Sequence, residues 1–111
     1  MTEEQTNLLK VFIEYERLRG IKNLKVIKAN IKPFFNYLDA SGSLCSEIGF
    51  KGAQEFQTHL STLENKDGSL HYASYTIATI MSYVTRFYNY LKHKGRVYTN
   101  PFTGIKKIKL D

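Results

Sequence analysis

The sequence predicts an all-α fold, a compact bundle of four main helices followed by a short C-terminal helical turn. Apolar residues recur at helical spacing in four segments, and glycine-containing turns separate those segments. The chain has 111 residues and 42% hydrophobic content, which suffice for one core without staples. Cys45 is the single cysteine, so no internal disulfide contributes.

The first helix is predicted over 2–20. Thr2 and Gln5 have the spacing of a capping box, and Gly20 suits the position after the helix. The stripe that we expect to face the core consists of Leu8, Val11, Phe12, Tyr15 and Leu18. This helix is interpreted as a packing element.

A second helix is predicted from an N-cap at Asn23 to about Ala40. Pro33 lies inside it, and we expect one kinked helix because the apolar register continues across the proline. The stripe consists of Leu24, Ile27, Ile31, Phe34, Phe35 and Leu38.

The third helix and three shorter segments complete the predicted chain. A loop over 43–49 should tuck in Leu44 and Ile48, and a third helix over 50–63 should face Phe50 inward. The turn-rich stretch 65–69 is expected to be the least ordered internal segment. Near the end, Asn100 and the following proline have the pattern of a helix start, which predicts the short final turn.

The fourth helix, from Ser74 towards Gly95, has two different faces. One face is apolar and consists of Ile77, Ile80, Met81, Val84, Phe87, Tyr88 and Leu91. The opposite face offers Tyr75, Thr79, Ser82 and Arg86, flanked by Asn89, with no carboxylate among them. Hydroxyl and guanidinium groups can donate to phosphate oxygens and reach base edges.

Positive charge is unevenly distributed along the chain. The net charge is +6, residues 21–40 and 71–111 are basic, and 68–110 contains no Asp or Glu. Lys25, Lys28 and Lys32 follow the stripe of the second helix without the interleaved Glu of a paired surface. Two basic surfaces, expected to lie side by side on the bundle, indicate a polyanionic partner.

Catalytic and metal-binding motifs are not evident in the sequence. It has no phosphate-binding glycine loop, no metal-ligand cluster and no Ser/His/Asp arrangement. The eight tyrosines lack activating neighbours, so structural roles are favoured. We therefore expect no cofactor, no metal and no enzymatic activity for this chain alone. Without a signal peptide or membrane span, and with one thiol, a cytoplasmic location is expected.

The order of several short motifs resembles the core-binding domain of tyrosine recombinases of the phage-integrase type. In the fourth helix and beyond, these are Thr76-Ile77, Met81-Ser82, Val84, Phe87-Tyr88, Tyr90-Leu91, Gly95 and Asn100-Pro101-Phe102. In the second helix they are Asn23-Leu24, Ile27, Ile31, Phe34 and Tyr37-Leu38. Asn23 stands where the family usually has Thr, and Pro33 departs from its pattern.

The resemblance implies a SAM-like helical bundle that forms half of a clamp around a recombination site. The second and fourth helices would approach the major groove, and a separate catalytic domain would supply the tyrosine nucleophile. Residues 1–104 would be the DNA-binding domain, and 105–111 would begin the linker. The implied partners are duplex DNA, the protein's own catalytic domain and other protomers in a synaptic complex.

The residues expected to contact DNA come from two helices and the tail. They are Lys22, Asn23, Lys25, Lys28 and Lys32, then Tyr75, Thr79, Ser82 and Arg86, and finally Lys106, Lys107 and Lys109. Replacing Arg86 by alanine is expected to weaken DNA binding with little loss of stability. Two alternatives stay open: a helical protein-interaction module with a basic face, and a helix-turn-helix regulator, which would need a turn of three or four residues.

Overall fold

A computed structural model describes residues 2–106, and this part of the chain is helical without a sheet. Its helices are α1 (Glu3–Leu18), α2 (Leu24–Ser41), α3 (Phe50–Thr62) and α4 (Ser74–His93). A single turn of 3-10 helix, Cys45–Glu47, lies between α2 and α3. The all-α prediction with four main helices is confirmed.

Local sequence signals explain the start of α1 and the end of α2. The capping box of α1 forms as predicted, with the Gln5 backbone N–H donating to Thr2 Oγ1 at 3.1 Å. Asn23 occupies the N-cap position of α2, but its side chain makes no capping hydrogen bond. Pro33 lies inside α2 without ending it, and Gly42 ends the helix in the left-handed conformation.

The buried face of α1 differs from the predicted stripe. Val11 and Leu18 are exposed, and the buried residues are Gln5, Leu8, Phe12, Ile13 and Glu16. Because α1 packs against both α2 and α4, its inward face centres on Phe12 and includes two polar residues. The inclusion of Glu16 matters for the candidate site.

Contacts at the helix ends fix the relative directions of α1, α2 and α4. The Gln5 side chain donates to the Ser43 carbonyl, so the start of α1 lies beside the end of α2. The second half of α1 meets α4 where Glu16 contacts Arg86, and its first half lines a groove with Arg96. The helix α1 therefore runs roughly opposite to α4, and because residues 19–23 connect it directly to α2, it runs opposite to α2 as well.

Aromatic rings from different helices meet in one core. Phe34 of α2 contacts Phe56 of α3 at 5.1 Å, Tyr88 of α4 at 5.7 Å and Phe102 at 5.7 Å between ring centroids. The Tyr88 hydroxyl donates to the Cys45 carbonyl at 2.6 Å, and burial raises the pKa of this phenol. Tyr88 is therefore a packing residue, as the sequence indicates.

Two further residues that were expected to face inward, Leu44 and Phe50, lie at the surface. Phe50 is 47% exposed, because it is the first residue of α3 and lies beside Gly104 rather than under the bundle. Leu44 is exposed, and Cys45 is buried in its place because the 3-10 turn rotates the loop. Ile48 is half-buried against the core, as expected.

The connection between α3 and α4 is a tight hairpin, contrary to the expectation of a poorly ordered loop. The Asn65 N–H donates to the Ser69 carbonyl at 2.8 Å, and the His71 N–H donates to the Leu63 carbonyl at 2.8 Å. Ser69 also donates to the Asp67 carboxylate, which lowers the pKa of that group. Turn-forming residues here close a specific hydrogen-bonded turn.

The segment after α4 is attached to it by Asn100. The Asn100 side chain donates to the Thr85 carbonyl at 3.0 Å and to Asn89 Oδ1 at 2.9 Å, and it accepts from the Phe102 N–H at 2.9 Å. Residues 101–104 form the predicted final turn as successive hydrogen-bonded turns, without a regular helix.

Replacing Asn100 by alanine is expected to lower the free energy of unfolding by about 1–3 kcal/mol, since the half-buried Thr85 carbonyl and the buried Phe102 N–H lose this partner. Chemical denaturation followed by circular dichroism measures this loss. Asn36→Ala, at an exposed position of α2, is the matched control and should change stability little. Equal stability of the two variants would contradict the attachment role.

Candidate nucleic-acid interface

The lysines predicted on α2 form an exposed row. Lys25, Lys28 and Lys32 all lie outside the core, and Lys22 is exposed just before the helix. Among residues 2–106, the ion pairs join arginines to glutamates and none includes these four lysines. Positions 25, 28 and 32 follow one side of α2, a row about 10 Å long at 1.5 Å per residue.

The first turns of α4 present the expected hydroxyl groups. Tyr75 is 74% exposed, and Ser82 is exposed two turns later. Thr79 is half-buried, and its hydroxyl donates to the Tyr75 carbonyl at 3.1 Å, which leaves its oxygen free only as an acceptor. Tyr75 and Ser82 are therefore the better-placed donors on this face.

Arg86 is engaged in an ion pair that the sequence analysis missed. Its Nη2 atom donates to Glu16 Oε1 of α1 at 2.9 Å. The Arg86 side chain is 38% exposed, whereas that of Glu16 is 1% exposed. The polar face of α4 thus includes a buried carboxylate supplied by another helix. This ion pair replaces the expectation that loss of Arg86 costs little stability with the opposite prediction, because removal of the guanidinium would leave the Glu16 carboxylate buried.

Glu16 and Arg19 are the functional candidates that sequence reasoning overlooked. Glu16 continues the helical spacing of Leu8 and Phe12 by one turn, and this periodicity was the available signal. Arg19 follows at i+3, and its Nη1 atom lies 3.5 Å from Glu16 Oε2. One carboxylate therefore meets two guanidinium groups between α1 and α4.

The structure separates the predicted residues of α4 along the helix. Tyr75 lies in the first turn, whereas Arg86 lies 12 positions after the first residue, Ser74, and turns towards the end of α1. Asn23 and Lys25 follow the end of α1 in the chain, at the start of α2. The Lys106 carbonyl accepts from Gln57 of α3. Lys107 and Lys109 lie outside the described residues.

Neither a group of potential metal ligands nor a helix that could span a membrane is found among the described residues. Within residues 2–106, no three His, Cys, Asp or Glu side chains are grouped so as to hold a metal ion. No helix in this range combines the length and apolar character needed to cross a membrane.

Comparisons with known protein families, with curated proteins and with solved structures find no match to this chain. The functional interpretation therefore depends on the residues and on their arrangement in the bundle.

Proposed function

We propose that this chain is the DNA-binding, core-binding domain of a site-specific tyrosine recombinase. It would grip the recombination-site duplex through α2 and α4, while a catalytic domain of the full-length protein acts from the far side. Other protomers would join in the synaptic complex. The chain alone would bind and not react. A reduced, buried Cys45 is compatible with the cytoplasmic location that we propose with this function.

The observation that carries the proposal is that α2 and α4 pack against each other and that each presents exposed cationic or hydroxyl side chains. Exposed Lys22, Lys25 and Lys28 come from the start of α2, and exposed Tyr75 and Ser82 come from the start of α4. The ammonium groups would contact phosphates, which positions a protein on the duplex. The hydroxyl groups would reach base edges or further phosphates.

Binding to DNA should depend steeply on salt. If about five phosphates are neutralised, the logarithm of the association constant should fall against the logarithm of salt concentration with a slope near −4 to −5. Affinity of the chain alone should be weak, because a clamp distributes its affinity over two halves.

Replacing Lys25, Lys28 and Lys32 together by alanine should reduce this slope by roughly 2 to 3, about 0.9 for each lost phosphate contact. Fluorescence anisotropy with a labelled random duplex over a range of salt concentrations measures the slope. The matched control removes the same charge from three exposed lysines elsewhere, Lys10, Lys51 and Lys66. Equal slopes for the two triple variants would contradict the role of α2.

The same anisotropy assay and the fold distinguish two alternative functions from the proposed DNA-binding function. A helical protein-interaction module would show little salt-dependent affinity for random duplex DNA. A helix-turn-helix regulator needs a turn of three or four residues before its recognition helix. Residues 63–73 connect α3 to α4 through a hairpin, which disfavours that alternative.

A further inference from the structure

A cleft of about 340 Å³ opens between the second half of α1 and α4. Its lining residues are Tyr15, Glu16, Arg19, Arg86, Asn89, Tyr90 and His93. Of these residues, only Arg86 belongs to the DNA contacts predicted from the sequence, and α1 was expected to be a packing element.

The charges in this cleft do not cancel. Glu16 is the buried carboxylate, and it accepts from Arg86 at 2.9 Å and from Arg19 at 3.5 Å. One carboxylate and two guanidinium groups leave a net positive charge beside the imidazole of His93. An anion entering the cleft would therefore meet an excess of donors.

Both guanidinium groups contact a tyrosine ring as well as Glu16. The Arg19 guanidinium carbon lies 5.4 Å from the centre of the Tyr15 ring, and that of Arg86 lies 5.2 Å from the centre of the Tyr83 ring. Arg86 has the shorter contact to Glu16 and is therefore the better oriented of the two. Arg19 is 55% exposed and Arg86 is 38% exposed, so N–H donors of both remain accessible to solvent.

We propose that this cleft binds one backbone phosphate of the DNA duplex between Arg19 and Arg86, with Glu16 as a positioning residue for both. The proposal rests on the proposed function and extends the DNA interface to α1. A DNA phosphate is favoured as the occupant over a carboxylate of an acidic protein, because DNA offers a continuous row of phosphates. The end of α1 and the start of α2 are adjacent, so one phosphate can occupy the cleft while a neighbouring phosphate reaches exposed Lys22 beyond the end of α1.

The test compares Arg19→Ala with Arg17→Ala. Arg17 lies on the same helix and carries the same charge, but it pairs with the exposed Glu14 and does not line the cleft. Anisotropy titrations with duplex DNA should give a salt slope smaller by about 0.9 for Arg19→Ala and an unchanged slope for Arg17→Ala. Circular dichroism verifies that both variants are folded. Arg19→Gln, which retains most of the side chain's length, repeats the test if the alanine variant unfolds.

Each outcome has a distinct meaning. A smaller slope for the Arg19 variants alone supports the cleft as a phosphate site. Equal slopes for the Arg19 and Arg17 variants, with steep wild-type binding, overturn the cleft and leave the proposed function intact. Absence of salt-dependent binding by the wild type overturns both, and binding of poly-glutamate in its place would identify an acidic protein partner.

Discussion

Replacing Phe87 by alanine is expected to lower the free energy of unfolding by about 3–5 kcal/mol. Phe87 is fully buried in α4, and its ring contacts Phe12 of α1 at 5.4 Å and Phe35 of α2 at 5.6 Å. The substitution leaves a cavity at the point where three helices meet, and rigid neighbouring rings cannot close it. Urea denaturation followed by circular dichroism measures the loss.

The matched control for this prediction is Phe50→Ala. Phe50 is the same residue type at the start of α3, and about half of its side chain is exposed. Its loss should cost less than about 1 kcal/mol, because little buried area disappears. If the two variants were equally stable, the core described around Phe87 would be wrong.

Replacing Arg86 by alanine is expected to lower the free energy of unfolding by about 2–3 kcal/mol, because it breaks an ion pair with a buried carboxylate. Removal of one partner leaves the Glu16 carboxylate buried, with only the longer contact to Arg19. Partial exposure of Arg86 keeps the loss below that of a fully buried pair, since water can enter the space left by the side chain. Thermal and urea unfolding both measure this effect.

A second substitution identifies the cause of that loss. In the Glu16→Gln/Arg86→Ala double variant the buried charge is gone, so part of the stability should return relative to Arg86→Ala alone. Arg17→Ala breaks an exposed pair with Glu14 and should change stability little. A double variant that is less stable than Arg86→Ala would show that the unpaired charge is not the cause.

The Arg86 prediction also affects how DNA binding is measured. A variant that loses stability can lose affinity for that reason alone. The α2 lysines lie on the surface and support no contact in the core, so they test the interface more directly than Arg86 does.

The sequence predicted the helices well because their signals are local. Buried apolar positions of α2 and α4 follow the 3.6-residue period, and Gly42 marks the end of α2. The face of α1 was less predictable, because Glu16 is buried and Leu18 is exposed. Periodicity alone does not tell which side of a helix meets two neighbours.

The sequence by itself determined the all-α class, the approximate helix bounds and the exposed row of Lys25, Lys28 and Lys32. These depend on periodicity and charge within single segments. Only the tertiary structure decided that α2 and α4 pack against each other and that Arg86 turns towards Glu16, a residue 70 positions away in the chain. Contacts between distant segments depend on how whole helices pack, and the local pattern of either segment does not contain that information.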